Sequence, residues 1–217
     1  MSLAYQIEDV RSSVGSPSIS GLMDRLGVRM RYGRNEEIYA QDDEVEFLYR
    51  VVSGSVRTIR LTSDGRRQLG DFYYPGELFG LEPGPDHRFS AEALTDCVVQ
   101  VLKRSAVRAF SGDAELDRAI LAETHRELER TQTHLLLLGR KSAREKVAAF
   151  LMSLAGRGAD TDVELPMGRQ DMADYLGLTI ETVSRTLTQL QDAAIVEFAA
   201  TRRFQVKKWE TLERLAE

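Results

Sequence analysis

The chain of 217 residues contains a single cysteine, Cys97. One thiol makes no intrachain disulfide, and no cysteine cluster exists to hold zinc or an iron–sulfur centre. Cys97 lies in Cys97-Val98-Val99-Gln100-Val101-Leu102, a run that reads as a buried strand, so its expected role is packing. Long apolar runs are also missing. The longest beside a helix, Leu135-Leu136-Leu137-Leu138, is far too short to cross a bilayer, so no membrane partner is expected. No basic stretch followed by an apolar core opens the chain, so no signal peptide is expected and the expected location is the cytoplasm. No Ser/His/Asp triad, metal-ligand cluster or phosphate loop occurs. The expectation is therefore a non-enzyme with no metal and no cofactor.

What is present is an ordinary globular composition, 42% hydrophobic and 29% charged. The net charge of −5 argues against indiscriminate nucleic-acid binding. It leaves specific binding open, because phosphate contacts depend on where individual Arg and Lys side chains stand.

Four segments follow from the pattern. Residues 1–20, with Ser12, Ser13, Gly15, Ser16, Pro17, Ser18 and Ser20, have little to bury and read as a loose arm. Residues 21–112 read as β structure. Phe47 to Val52 and Val56 to Leu61 flank Gly54, Ser63-Asp64-Gly65 turns the chain, and Gln68 to Tyr73 returns. Pro75-Gly76-Glu77 and a second β run, Ala91 to Leu102, follow. Gly54, Gly65 and Gly76 recur at an even spacing, the rhythm of short antiparallel strands in a barrel or jelly roll. Residues 113–139 form one long helix with a seam of Leu116, Ile120, Leu128, Leu135 and Leu138, repeating about every 3.5 residues, with Thr124 and Thr131 as weaker positions. That seam marks either a dimer contact or packing on the β-roll. Residues 140–217 begin with a helix, Lys141 to Ala155, that ends at Gly156-Arg157-Gly158, and a polar stretch, Ala159 to Glu164, leads on.

Within this last segment Arg169 to Tyr175 reads as a short helix, Gly177 as a break, and Thr179 to Asp192 as a second helix. The small Ala173, Gly177 and Val183 match a helix-turn-helix: a small residue where helices cross, a left-handed turn, and an apolar residue facing back. On the second helix Ile180, Val183, Leu187 and Leu190 share one face and are expected to be buried. Glu181, Ser184, Arg185 and Thr188 share the other. Arg185 suits guanine O6 and N7, Glu181 suits cytosine N4, and Ser184 bonds or packs locally. Glu181 and Arg185 also form an i, i+4 pair able to brace each other. Any exposed Glu–Arg pair would look the same, and it is the Ala-Gly-Val frame that favours base reading. Arg169, Thr179, Thr182 and Thr188 are the expected DNA-backbone contacts on the two helices. Ile195 to Phe198 and Phe204 to Lys207 alternate and read as a hairpin, with Arg202 and Arg203 at its tip suited to phosphates.

These residues together resemble the CRP/FNR family of bacterial transcription regulators over nearly the whole chain. The resemblance rests on Pro75-Gly76-Glu77-Leu78-Phe79-Gly80, on His134 to Leu138 with Ala143-Arg144-Glu145-Lys146-Val147-Ala148-Ala149-Phe150-Leu151, and on Leu165-Pro166-Met167 with Asp171 to Arg185. It implies an α+β chain: an N-terminal jelly-roll β-barrel of the cyclic-nucleotide-binding kind, a long dimerisation helix and a C-terminal winged helix-turn-helix. It further implies a homodimer that binds double-stranded DNA and recruits RNA polymerase. The form Glu181-Thr182-Val183-Ser184-Arg185 is similar to the FNR and FixK branches, which favour TTGA…TCAA palindromes. The FNR cluster cysteines are absent from residues 1–40, which excludes that mode of oxygen sensing. Cyclic-AMP binders carry Arg followed by a small residue, whereas bulky Phe89 follows Arg88 here. The resemblance thus points to FixK-like control of low-oxygen or nitrogen-fixation genes without a bound effector. A ligand-gated sensor, using cyclic nucleotide or haem, is the alternative. His87, the sole histidine of the β-roll, is expected in a surface loop.

Overall fold

A computed structural model describes residues 19–62, 65, 67–140, 142–156, 162–200 and 202–216. Most of the expected arm, Ser63 and Asp64 of the expected turn, and residues 157–161 lie outside the described residues. The arm cannot extend to residue 20, because Ile19 and Ser20 already belong to a helix, α1 (Ile19–Leu26).

Two antiparallel four-stranded sheets follow. One has the order β1-β8-β3-β6, with β1 Val28–Tyr32, β8 Cys97–Lys103, β3 Phe47–Ser53 and β6 Leu78–Phe79. The other has the order β2-β7-β4-β5, with β2 Glu37–Tyr39, β7 Ser90–Ala93, β4 Val56–Leu61 and β5 Arg67–Tyr73. Their inner faces meet over Tyr39, Tyr49, Val51, Val56, Phe79, Ala93, Val99 and Val101. This is the expected jelly roll. Cys97 belongs to the same core. Burial, with Asp96 and Glu36 nearby, pushes its thiol up to about 11, which keeps it protonated near neutrality.

Gly54 shows why the β3–β4 turn needs glycine. Its φ of +76° is left-handed, and a Cβ there would run into the Asp96 carbonyl oxygen. Gly76 also has positive φ, +91°, but its Cβ position is open.

The end of the roll is closed by α1, by α2 (Arg104–Ser111) and by the first turns of the long helix α3 (Asp113–Arg140). Leu22, Met23, Leu48, Leu102, Val107 and Leu116 form this second core. Neither short helix was expected from the sequence.

The C-terminal segment holds α4 (Ala143–Ala155), α5 (Arg169–Leu176), α6 (Ile180–Asp192) and α7 (Trp209–Ala216). Ser142 and Glu145 close a reciprocal capping box at the start of α4, so this helix begins two residues later than Lys141. The hairpin β10 (Val196–Ala200) and β11 (Arg203–Val206) gains a third strand, β9 (Asp162–Glu164), from the stretch expected to be a polar connection. Val147, Leu151, Met172, Leu176, Val183, Leu187, Leu190, Phe204 and Leu212 build one core, and Phe72 of β5 belongs to it. Each such buried side chain contributes about 1.5–3 kcal/mol of transfer free energy.

Gly54→Ala therefore meets both backbone strain and a collision, whereas Gly76→Ala meets strain alone. We expect Gly54→Ala to lower stability by about 1–3 kcal/mol and Gly76→Ala by less. Urea unfolding midpoints at constant slope measure both; equal midpoints would remove the collision from the explanation.

Candidate nucleic-acid interface

Gly177 ends α5 at φ 61°, ψ 42°, and the next amide, Leu178 N, donates to the Ala173 carbonyl at 2.9 Å. The chain thereby turns within three residues into α6. Thr179 caps that helix, its side-chain oxygen accepting from Thr182 N at 3.3 Å. Ala173 and Val183 are both fully buried where the two helices cross. The expected helix-turn-helix geometry is thus present.

Val183, Leu187 and Leu190 form the inward face of α6. Ile180, expected to join them, is 39% exposed, because the first turn of α6 projects beyond the core. Glu181 and Arg185 are exposed and Ser184 is half-buried on the outer side. No ion pair joins Glu181 to Arg185 among the described residues. Its own backbone amide and the Thr179 hydroxyl nearby instead hold the Glu181 carboxyl below the usual range. Arg185 is left with a free guanidinium.

The backbone candidates divide by how their donors are used. Arg169 and Arg202 make no ion pair among the described residues. Arg203 is drawn into β11, where its Nη1 lies 3.3 Å from Asp162 Oδ2. The wing tip is thus narrower than expected, with Arg202 at the turn and Arg203 in the strand. The Thr188 hydroxyl donates to the Ser184 carbonyl at 3.1 Å, and the Thr179 and Thr182 hydroxyls lie 3.1 Å apart. Thr179 therefore serves the cap of α6.

On α3 the structure shifts the expected seam. Leu116 is fully buried against the end of its own β-roll, and Ile120 packs on the same cluster. Both leave the seam, because the first two turns of α3 take their helical phase from that core. Leu121, at 71% exposure, takes their place. Leu121, Thr124, Leu128, Thr131, Leu135 and Leu138 then alternate in steps of three and four, and all are exposed.

Where the β-roll meets α3 and α5 there is a cavity of about 550 Å³. Asp71, Glu82, Glu127 and Asp174 line it beside Arg67, Arg88 and Arg130. Phe89 faces Gly70 of β5 so closely that a Cβ at Gly70 would lie 3.0 Å from its ring. A cyclic nucleotide needs an open cradle for its phosphate, and the Phe89 ring packed on Gly70 narrows that space. His87 is not in a surface loop. It is buried, stacked on Tyr39 with ring centroids 3.6 Å apart, and its Nδ1 lies 3.1 Å from Glu82 Oε2.

Polar contacts surround this junction. Arg57 Nη1 donates to both carboxylate oxygens of Asp171, at 3.1 and 3.2 Å, and Arg67 Nη2 bonds Asp171 as well as Asp174. Arg130 of α3 lies 3.3 Å from Asp71 of β5. The His134 ring stacks on Tyr175 and its Nε2 lies 2.7 Å from the Tyr175 carbonyl. Sequence reasoning singled out neither Arg57 nor Arg67. Nothing local marks an arginine whose partner lies in another domain.

A helix fastened along one face, bare along the other and flanked by a strand pair with a free arginine at its turn is the working part of a winged-helix DNA-binding regulator. Residues 145–215 match the Crp-like helix-turn-helix domain, and residues 29–112 match the cyclic nucleotide-binding domain. The chain is 47% identical over 197 residues to the nitrogen fixation regulation protein FixK of Azorhizobium caulinodans, covering 88% of this chain and 79% of that protein. It is 44% identical to FixK of Rhizobium meliloti, covering 93% and 92%. The solved structure of FixK2 from Bradyrhizobium japonicum superposes with a TM-score of 0.83 at 44% identity, over 88% of this chain and 98% of that one. The chain belongs to the CRP/FNR family, and within it is a FixK-like transcription regulator with a helix-turn-helix DNA-binding domain.

Thr179 links stability to the recognition face. Thr179→Ala removes the cap and the hydroxyl that holds Glu181, at a cost of about 1 kcal/mol. Thr179→Ser retains both. Thermal unfolding of the two variants measures the difference, and equal melting temperatures would discount the cap.

Proposed function

We propose that the chain acts as a homodimeric activator that reads a TTGA…TCAA palindrome without a bound effector and recruits RNA polymerase to low-oxygen or nitrogen-fixation genes. The observation that carries this reading is the uncommitted outer face of α6. Arg185 has no partner among the described residues, so its guanidinium is available to guanine O6 and N7. Glu181 stays ionised beside it, ready to accept from cytosine N4. The half-site TTGA holds one G·C pair, which offers both groups together. Ser184 packs at the neighbouring step. Arg169 and Arg202, with Arg203, Thr182 and Thr188 in support, contact the backbone and fix register.

Two α6 helices must lie about 34 Å apart to enter successive major grooves on one side of the duplex. The seam Leu121, Leu128, Leu135 and Leu138 supports that pairing. It is apolar, exposed and heptad-spaced, with Leu116 and Ile120 committed to the β-roll instead. The names of the FixK relatives support the nitrogen-fixation assignment. Phe89, packed against Gly70, supports an effector-free mode.

A gel shift with purified protein, no additive and a TTGA…TCAA duplex tests the reading. Binding is expected, and Arg185→Ala is expected to lose about 1–3 kcal/mol and to relax preference at the G·C pair. Binding only after cyclic nucleotide or haem is added would replace the effector-free mode with ligand gating. Unchanged affinity and preference in the variant would remove Arg185 from base reading.

The dimer has its own test. Leu128→Lys should shift sedimentation toward a monomer and weaken DNA binding steeply, because two half-sites then bind independently. A variant that remains dimeric would place the interface elsewhere.

A further inference from the structure

We propose that Arg57 and Arg67 of the β-roll are positioning residues for DNA recognition, which clamp α5 so that the recognition helix is held in one orientation to the dimer helix. The proposal rests on the DNA reading above, and it concerns spacing rather than base identity.

Asp171 stands in the first turn of α5 and is 6% exposed. Arg57, itself buried on the central strand β4, holds both of its oxygens. Arg57 is held in turn by Glu92, at 3.0 and 2.6 Å, and by Asn35 at 3.2 Å. Arg67 of β5 bridges Asp171 and Asp174, one helical turn apart, while Gln170 fixes the other Asp174 oxygen at 2.7 Å. Each carboxylate of the clamp thereby accepts from at least one of the two arginines.

A buried ion pair of this kind adds little net stability, because desolvation offsets much of its attraction. What it supplies is direction. The apolar part of the same junction, Phe72 against Tyr175 and Phe150, is adhesive but tolerates rotation. Guanidinium–carboxylate hydrogen bonds do not, because each N–H must stay aimed at its oxygen. Two arginines on adjacent strands, gripping positions one turn apart, fix both the azimuth and the axial position of α5. The close Ala173–Val183 crossing passes that setting to α6.

The test uses full-length protein and duplexes in which two intact TTGA half-sites are separated by the natural spacing or by one base pair more or fewer. Arg67→Gln and Asp174→Asn are the main variants, since both side chains are only half-buried. The wild-type protein should discriminate sharply among spacings. Each variant should lose about tenfold on the natural spacing, lose little on the altered ones, and keep its base preference within each half-site. Arg67→Lys should recover part of the discrimination. A fall that is equal at all spacings and follows melting temperature would reduce the clamp to a stability element and overturn the proposal. Unchanged spacing preference would overturn it too. Failure of the underlying DNA reading looks different: the wild-type protein itself would then show no base preference.

Discussion

The structure depends on the ring of Phe72, which leaves a β-strand of the roll and enters the core of the winged helix. It lies 5.2 Å from Tyr175 and 6.2 Å from Phe150 between ring centroids. Through it the β-roll and the DNA-binding unit share one desolvated cluster, so the two cannot separate without exposing apolar surface. The ion pairs and the His134–Tyr175 stack lie around the edge of this cluster. They gain their directionality from the water it excludes. An open linker between the two units would leave the same charges screened and nearly without effect.

Much of this was legible in the sequence where the signal is local. The alternation from Phe47 to Val52 and from Val56 to Leu61 becomes β3 and β4 almost residue for residue, because these strands lie on two-sided cores. The helix-turn-helix was legible because Ala173, Gly177 and Val183 each answer a steric demand that few residues meet. The seam on α3 was legible only in part. Leu116 and Ile120 have the right spacing, but periodicity alone does not say which side of a helix faces its own domain. The small elements escaped for a similar reason. The helices α1 and α2 span eight residues each and flank a stretch dominated by strand signals, and β9 has one apolar residue, Val163, between two charged ones. The α7 signal was present in Trp209, Leu212 and Leu215.

The junction was not legible at all. Arg57 reads as a solvated position on a strand, and the residue it grips is 114 positions away. His87 reads as a loop histidine, yet stacking on Tyr39 and a bond to Glu82 make it an interior group. In both cases the partner comes from another element brought close only by the fold. The candidate site itself was more legible than its supports. Base-reading side chains must be exposed, and exposure follows from helical phase; the residues that orient them obey no periodicity.

The same geometry bears on control. A ligand shifts a conformational equilibrium only by as much as it binds the two forms differently. In a ligand-gated regulator the junction between roll, dimer helix and DNA-binding unit is where that difference must arise. Here the polar groups around the junction are already engaged with one another: Arg130 with Asp71, His134 with the Tyr175 carbonyl, Arg57 and Arg67 with Asp171 and Asp174. A molecule acting through these groups would have to displace protein contacts. To move the population from one percent to ninety-nine it would need about 5.5 kcal/mol of differential binding on top of that displacement. On the effector-free reading proposed above, orienting contacts carried within the chain take the place of such a ligand.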